Sequence, residues 1–362
     1  MRVKLEDVCV RGSSNLKQSD VIDETGEYPI YGAAGYIGSV DFYHQGQPYV
    51  AVVKDGVGIG RTSLYPAKSS VIGTMQYLLP QENVLPEYLC YVVKYMHLEK
   101  YFTGATIPHI YFKDYKKEEF NLDTLDRQKE IVNILGRIEC VISSRQQELQ
   151  KLDELIKARF VEMFGDPVLA SKEEKVELME VCEKITDGEH GSVTRITDGH
   201  PFLNAKHILK NGNIDWDTVT FIGDTDHQKI YKRCNPEKGD ILLTTTGTIG
   251  NVAILPECEE VSMDRGITLL KINRKKVTSE FVAEMLKQES IQIQMGANVH
   301  ASAIGHLFMN KVKKLPVILP NIERQIEFTK FVKQVNKSKV AVQKSLDETQ
   351  KLFDSLMQQY FG

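Results

Sequence analysis

Long apolar runs are missing from this sequence of 362 residues. No stretch approaches the roughly 20 consecutive apolar residues that a membrane-spanning helix needs, which argues against an integral membrane protein. The first residues, MRVKLEDVCVRG, also lack the apolar core of a secretory signal peptide. We therefore expect a cytoplasmic protein.

Closely spaced cysteines and an excess of positive charge are missing as well. The six cysteines form no C-x-x-C pair, which argues against a zinc site and, in a cytoplasmic chain, against disulfide bonds. The formal net charge is −4 at pH 7, whereas nucleic-acid-binding domains usually carry a basic patch. A DNA-binding function therefore has to be supported by other features. The cysteines are Cys9, Cys90, Cys140, Cys182, Cys234 and Cys258.

The common catalytic signatures are absent too. The glycine-rich stretches at 56–60 and 247–250 lack the G-K-[ST] that places a lysine on phosphate and a hydroxyl on magnesium. A predicted strand follows each stretch, so we interpret both as hairpin turns. Glu173-Glu174-Lys175 has the spacing of a nuclease fragment but lies in a charged linker, and the nine histidines form no metal-binding motif. We predict a chain that is not an enzyme and holds no metal and no cofactor of its own.

The chain contains an internal repeat. Residues 122–165 align without a gap with residues 319–362, with nine of 44 positions identical and matched apolar spacing. Upstream, VAVVKDGVGIGRTSLYP at 50–66 resembles ILLTTTGTIGNVAILP at 241–256. Such a repeat predicts two copies of one structural unit. We divide the chain into a globule at 1–121, a long helix at 122–166, a second globule at 167–318 and a second long helix at 319–362.

Each repeat ends in a predicted long helix. Apolar residues step by alternating fours and threes, as in the seam of a coiled coil, and two such helices in one chain most simply pair with each other. The globules are predicted to be mixed α/β (α+β), because short β-branched strands run into glycine turns and helical stretches follow at 85–102 and 279–295. The predicted seam and partner-docking residues are Arg127, Gln128, Ile131, Leu135, Leu149, Leu152, Arg324, Gln325, Phe328, Leu346 and Phe353.

Polar, basic and aromatic residues concentrate on predicted loops at matching places of the two globules. They interleave through GATIPHIYFKDYKK at 104–117 and GANVHASAIGHLFMNKVKK at 296–314. Lysines and hydroxyls suit DNA phosphates, and amide or imidazole groups suit base edges. An ordinary polar surface is the alternative, and the lysine pairs could instead protect a strand edge. The candidate DNA-binding residues are Arg61, Thr62, Thr106, His109, Tyr111, Lys113, Lys116, Lys117, His190, Thr245, Thr246, Asn251, Asn298, His300, Ser302, Lys313 and Lys314.

Several of these stretches together resemble the specificity subunit of type I restriction–modification systems. The resemblance covers essentially the whole chain. In the first copy it rests on YPIYGAAGYIG, GVGIGRTSLY, TGATIPHIYFKDYKK and LDTLDRQKEI, and in the second on TDGEHGS, GDILLTTTGTIGNVAIL, MDRGITLL and LPNIERQIEF. The combination is far more specific than any one of these motifs.

The resemblance implies two tandem target-recognition domains, each followed by a long helix, with the two helices pairing as an antiparallel coiled coil. Each domain would read one half of an interrupted, asymmetric site in double-stranded DNA. The helices would dock two modification subunits, which bring S-adenosylmethionine and methylate adenine, and restriction subunits would add to these. The specificity subunit itself would not be catalytic, and the partners would supply much of the phosphate-binding surface that this mildly acidic chain lacks.

Two other functions stay open at this point. The chain could be a coiled-coil scaffold whose globules bind protein and show no preference for a DNA sequence. It could also be an orphan specificity subunit that binds DNA but no longer supports an enzyme.

Overall fold

The first half of the chain is an α/β globule that leads into a long helix. The computed structural model describes residues 1–21, 25–104, 108–171, 174–299 and 305–362. Single turns of 3-10 helix lie at Leu5–Asp7, Gln18–Asp20 and Leu98–Tyr101. The strands are β1 (Arg2–Lys4), β2 (Cys9–Ser13), β3 (Tyr28–Gly32), β4 (Gly35–Val40), β5 (Tyr49–Val53), β6 (Thr62–Tyr65), β7 (Ser70–Val71), β8 (Met75–Pro80) and β9 (Glu119–Asn121), and the helices are α1 (Pro86–Tyr95), α2 (Phe112–Tyr115) and α3 (Leu125–Phe164).

The second half of the chain repeats this arrangement. Its 3-10 turns lie at Leu178–Val181 and Ala205–His207. The strands are β10 (Lys175–Glu177), β11 (Cys182–Asp187), β12 (Arg195–Ile196), β13 (His200–Leu203), β14 (Thr220–Ile222), β15 (Ile241–Thr244), β16 (Val252–Ile254), β17 (Ser262–Met263), β18 (Ile267–Ile272) and β19 (Pro316–Ile318), and the helices are α4 (Asp224–Cys234), α5 (Ser279–Leu286), α6 (Glu289–Ala297), α7 (Met309–Lys313) and α8 (Ile322–Phe361).

A four-stranded antiparallel sheet forms the centre of the first globule, in the order β2-β8-β5-β6. Successive side chains of a strand point to opposite faces of its sheet, and in β5 both faces are buried. Val50 and Val52 pack in the core that includes α1, whereas Tyr49 and Val53 pack on the other face with Tyr65. A strand covered on both sides is continuously apolar, which is why VAVV stands out in the sequence.

The second globule has the same sheet with the equivalent strands, in the order β11-β18-β15-β16. A second sheet accompanies it in both copies, with three strands in the first globule and four in the second. In the first globule this sheet contains the parallel pair β3 and β7, and in the second the parallel pair β13 and β17. The internal repeat and the mixed α/β fold class that the sequence predicts are therefore confirmed.

The chain divides into two compact units, one formed by residues 1–146 with 343–362 and the other by residues 147–342. Each unit therefore contains one globule, the start of the helix that follows it and the end of the other long helix. In the first unit the Arg127 guanidinium lies 5.7 Å from the centre of the Tyr360 ring. In the second unit the Arg324 guanidinium lies 5.5 Å from the centre of the Phe164 ring. In both units the start of one helix thus lies beside the end of the other, so the paired segments are antiparallel. The division at residues 121, 166 and 318 stays a prediction.

Two glutamines join the start of each long helix to the globule before it. Gln128 is fully buried, its Oε1 accepts from the Leu85 backbone N–H at 2.8 Å, and its Nε2 donates to the carbonyl oxygens of Asn83 and Asp123 at 3.0 and 2.9 Å. Gln325, also fully buried, repeats the pattern in the second unit with Thr278, Lys276 and Pro320. The hydrogen bonds of each glutamine lie inside its own unit, so both side chains are used within the fold and are closed to a partner.

The other predicted seam and partner-docking residues divide between core and surface. Ile131, Leu135 and Phe328 are almost completely buried in the cores of their own units, so they stabilise the fold and are closed to a partner. Arg127 pairs with Glu130 at 2.8 Å and is half exposed, and Arg324 donates to the Met163 carbonyl oxygen. The half-buried seam positions are Leu149, Leu152, Leu346 and Phe353.

Neither of the two stretches predicted as helical forms one continuous helix. The stretch 85–102 ends as a helix at Tyr95, and the 3-10 turn at Leu98–Tyr101 follows. The stretch 279–295 is interrupted at Gln288, whose backbone is extended (φ −63°, ψ 142°), so that α5 and α6 are separate helices. In the part of the chain that the structure describes, no helix is long and apolar enough to cross a membrane.

Candidate nucleic-acid interface

In each globule a glycine loop meets the segment that precedes a short helix. In the first globule the Gly56 backbone N–H donates to the Pro108 carbonyl oxygen at 3.0 Å, and the Ile110 N–H donates to Lys54 at 2.9 Å. In the second globule Gly247 donates to Gly305 at 3.3 Å, and Leu307 donates to Thr245 at 2.9 Å. The structure thus brings together two stretches that lie about 50 to 60 residues apart in the sequence, at equivalent places in both copies.

The glycine loops adopt a backbone that favours glycine. Gly56, Gly58 and Gly60 have φ of 85°, 85° and 80°, and the equivalent Gly247 and Gly250 have φ of 75° and 91°. This is the left-handed region, which other residues adopt at a cost. The loops join β5 to β6 and β15 to β16 as antiparallel hairpins, which confirms the interpretation as hairpin turns.

A histidine is fixed at this junction in both globules. His109 Nδ1 lies 2.6 Å from Asp55 Oδ1, and His306 Nδ1 lies 2.7 Å from Thr246 Oγ1. An ionised carboxylate only accepts hydrogen bonds, so the contact with Asp55 requires a proton on Nδ1 of His109. A threonine hydroxyl both donates and accepts. The two copies therefore hold the same ring with partners of different chemistry.

An aromatic and a basic side chain lie next to His109. The rings of His109 and Tyr111 are stacked, with centres 6.4 Å apart and planes at 23°, and Lys113 Nζ lies 5.3 Å from the centre of the Tyr111 ring. Tyr111 is half exposed. Such a combination of imidazole, aromatic and ammonium groups suits contacts with bases and phosphates.

Other candidate residues support the loops. Thr62 and Thr245 are buried, with Thr62 Oγ1 donating to the Gly60 carbonyl oxygen at 3.1 Å, so neither side chain is open to a ligand. Arg61 Nη1 donates to the Ala33 carbonyl oxygen at 3.1 Å and remains exposed. Asn251 Nδ2 donates to Ile208, and Asn298 Nδ2 donates to Gln294 at the end of α6. Thr106, His300 and Ser302 lie outside the described residues.

The predicted lysine pairs lie outside the segments whose backbones hydrogen-bond to the glycine loops. Lys116 and Lys117 follow α2, whereas Lys313 is the last residue of α7 and Lys314 follows it. Each pair precedes the strand that leads into a long helix. Lys116 Nζ is 2.7 Å from Glu6 Oε2, so this lysine already has an anionic partner in the fold. Lys117 and Lys314 are exposed and Lys313 is half-buried. The assignment of these lysines to DNA phosphates stays a prediction.

In the second globule a charged loop surrounds His190. His190 Nε2 lies 2.8 Å from Asp187 Oδ2, and Arg233 Nη2 lies 3.0 Å from Asp187 Oδ1. The neighbouring Glu189 accepts from the Gly191 backbone N–H at 2.8 Å, and this bond, helped by Lys229, holds the pKa of the Glu189 carboxyl below its ordinary value. The sequence indicated His190 but not the arginine, which comes from α4.

Asp264 lies beside this loop and was not among the sequence candidates. Burial raises the pKa of its carboxyl above the ordinary value of 3.8, and the backbone N–H of Gly266 offsets part of the rise with a hydrogen bond of 2.9 Å. A carboxylate kept in a site that disfavours its charge is a candidate functional group. A carboxylate can accept a hydrogen bond from the amino group of cytosine.

Replacing Asp264 with asparagine is expected to stabilise the protein at neutral pH. Its folded pKa lies above the unfolded one, so the folded state binds more protons, and stability falls as the pH rises through the folded pKa. The amide oxygen of Asn can still accept from Gly266. Urea unfolding should give a larger free energy for D264N than for the native chain at pH 7, with the difference shrinking as the pH falls toward 3.8.

Asp215 provides a control for this prediction, because its pKa is shifted in the opposite direction. The hydrogen bond from the Thr218 hydroxyl lowers the pKa of Asp215, so D215N should lose stability at pH 7 and match the native chain in acid. If D264N is the less stable protein at pH 7, the charge of Asp264 stabilises the fold and the prediction is wrong.

Within the ranges that the structure describes, no group of three or more His, Cys, Asp or Glu side chains is arranged to hold a metal ion. In both globules the described residues place a histidine and its hydrogen-bonding partner beside the hairpin turn.

Comparison with known proteins defines the class to which this fold and surface belong. The family model of the type I restriction modification DNA specificity domain matches residues 1–154 and again residues 172–349. The chain therefore belongs to this family, and its two matches coincide with the two copies of the internal repeat. Specificity subunits are the non-catalytic subunits of restriction–modification systems.

Individual relatives agree with the family. The type I restriction enzyme EcoBI specificity subunit of Escherichia coli is 27% identical over 160 residues, which span 44% of this chain and 28% of that subunit. The crystal structure of a type I restriction–modification S subunit from M. genitalium has a TM-score of 0.56 at 16% identity, covering 100% of this chain and 96% of that one. A second solved structure concerns complex assembly and conformational transition of the type I R-M system. One of its chains has a TM-score of 0.53 at 14% identity, and the match covers 99% of this chain and 97% of that one. These two structures share the fold.

Proposed function

We propose that this chain is the DNA-reading subunit of a type I restriction–modification complex, with each globule recognising one half of a bipartite site in double-stranded DNA. The observation that carries the proposal is the match of the specificity-domain family to both halves of the chain. The long helices would dock two modification subunits, which bind S-adenosylmethionine, and restriction subunits would join them. Such a complex would act in the cytoplasm.

The two globules share a backbone arrangement but differ in their polar side chains, and this supports a bipartite, asymmetric target. The hairpin and its hydrogen bonds to the following segment are the same in both globules. The side chains at equivalent positions differ: Lys54 and Asp55 correspond to Thr245 and Thr246. Base edges are distinguished by the donors and acceptors that face them. Two copies of one scaffold with different polar groups are therefore suited to two different half-sites.

The long helices offer apolar surface that supports partner docking. Ile134 and Val141 on the first-unit part of α3 are 37% and 45% exposed, and Val340 on α8 is 71% exposed. Exposed apolar patches on a folded protein often mark interaction surfaces. The exposed apolar residues of each helix, rather than the buried seam residues, are therefore the proposed contacts with the partners.

Binding to random-sequence duplexes, followed by sequencing of the bound pool, tests the proposed function. The chain is assayed alone and with its modification subunits, and methylation of the selected sequences is measured in parallel. A specificity subunit enriches two short sequence blocks at a fixed spacing and supports their methylation. A protein scaffold enriches no sequence, and an orphan subunit enriches the blocks without methylation.

A further inference from the structure

A basic cavity of about 200 Å³ lies in the first globule, beside the junction of the glycine loop and α2. Its lining includes three cationic side chains, Arg11, Lys54 and Lys113, and a single anionic one, Asp55. The three cations come from separate segments, since Arg11 is on β2, Lys54 follows β5 and Lys113 is on α2. The fold therefore concentrates positive charge here although the whole chain carries a net charge of −4.

The single carboxylate does not neutralise this cluster. Asp55 lies 2.6 Å from His109 and 3.6 Å from Lys54 Nζ, so it is engaged on one side of the cavity. Lys113 rests over the Tyr111 ring. Arg11 is exposed, and among the residues that the structure describes its side chain forms no hydrogen bond or ion pair. Like charges held together without counter-charges repel one another, and an anion in the cavity would relieve this repulsion.

We propose that this cavity binds a phosphate group of the DNA backbone and anchors the first globule on the duplex. The inference rests on the proposed function and adds the place of a phosphate contact. Arginine offers several donors in a planar fork that matches phosphate oxygens, and lysine contributes a compact point charge. Tyr111 also lines the cavity, and His109 contacts the lining residue Asp55. A phosphate there would therefore bring neighbouring bases toward the candidate reading groups.

The equivalent positions that the structure describes in the second globule carry a different set of side chains. The repeat aligns Arg11 with Lys184, whose Nζ donates to the Arg233 carbonyl oxygen. Lys54 aligns with the buried Thr245, and Lys113 aligns with Asn310. The anchor is therefore a property of the first copy, and the same positions in the second copy supply a matched control.

The test uses the full chain and a mixed-sequence 40-base-pair duplex, with binding measured by fluorescence anisotropy over a range of NaCl concentrations. The double variant R11A/K113A should lower the slope of log affinity against log salt by about 0.9, the value for one phosphate contact on B-DNA. A fourfold rise in salt would then weaken binding about 3.5-fold less than in the native chain. K184A/N310A, at the equivalent positions, should keep the native slope. K157A/K330A removes two exposed lysines from the long helices and should also keep it.

The outcomes separate the inference from the function on which it rests. If the native chain binds the duplex and R11A/K113A keeps its slope, the anchor is wrong while DNA binding stands. An equal loss of slope in K157A/K330A would show a general charge effect and would also overturn the anchor. Inorganic phosphate that binds the cavity, while the duplex slope stays native in R11A/K113A, would identify a free-anion site instead. Absence of duplex binding by the native chain, alone and with modification subunits, overturns the proposed function together with the inference.

Discussion

Exchange of residues 1–120 for the same segment of a relative with a different target should change one half of the methylated motif and leave the other half intact. The reason is that the first globule carries its own sheet, hairpin and candidate reading groups, and none of them is supplied by residues 147–342. The complex with modification subunits is expressed in cells, and the methylated sites are mapped across the genome. The expected effect is complete replacement of one sequence block.

The graft has to preserve the contact between the globule and the helices of its own unit. Tyr88 lies 5.3 Å from Phe361 between ring centres, and the Tyr91 hydroxyl donates to Glu139 at 2.7 Å. Both tyrosines are therefore kept as in the native chain. The reciprocal exchange of residues 167–318 is the matched control and should change only the other block. A change of both blocks by either single exchange would contradict modular recognition.

Phe160→Ala should destabilise the second unit by about 3–5 kcal/mol, the usual cost of removing a fully buried phenylalanine ring. Phe160 is 0% exposed, and its ring centre lies 5.2 Å from that of Phe164, 5.4 Å from Phe281 and 5.5 Å from Phe328. These four rings join both long helices to α5 within one core. Urea unfolding followed by circular dichroism measures the loss.

The next residue in the same helix provides the control for this variant. Val161 is 47% exposed, so Val161→Ala should change the unfolding free energy by no more than about 0.5 kcal/mol. A loss below about 1 kcal/mol for F160A would mean that the core closes around the missing ring, and that the helices depend little on the aromatic cluster.

The repeat, the hairpins and the long helices could be predicted because each has a local sequence signal. Glycines at 56–60 and 247–250 mark turns, and the apolar spacing after 122 and 319 marks helices. The predicted seam residues did not include Phe160. It is buried because each helix packs against a globule as well as against the other helix, so the apolar face is wider than a coiled-coil seam.

The candidate site could be predicted only in part, because polar residues acquire their roles from tertiary contacts. The sequence indicated His109, but its partner Asp55 becomes visible only where two distant segments meet. Arg11 was missed because nothing in the strand sequence CVRGS separates it from an ordinary exposed residue. Gln128 and Gln325, which match in the repeat, were predicted as seam or partner-docking residues, yet both side chains hydrogen-bond to the globule before their helix.

Residues 343–362, the end of α8, belong to the first unit, and this affects the order in which the two units fold during synthesis. Domains usually fold from the N-terminus as the chain leaves the ribosome. Here the core around Ile131 and Leu135 also contains Met357 and Phe361, whereas all residues of the second unit lie between 147 and 342. The second unit can therefore be completed first, and the earlier-made globule keeps an uncovered apolar surface until residue 361 has emerged.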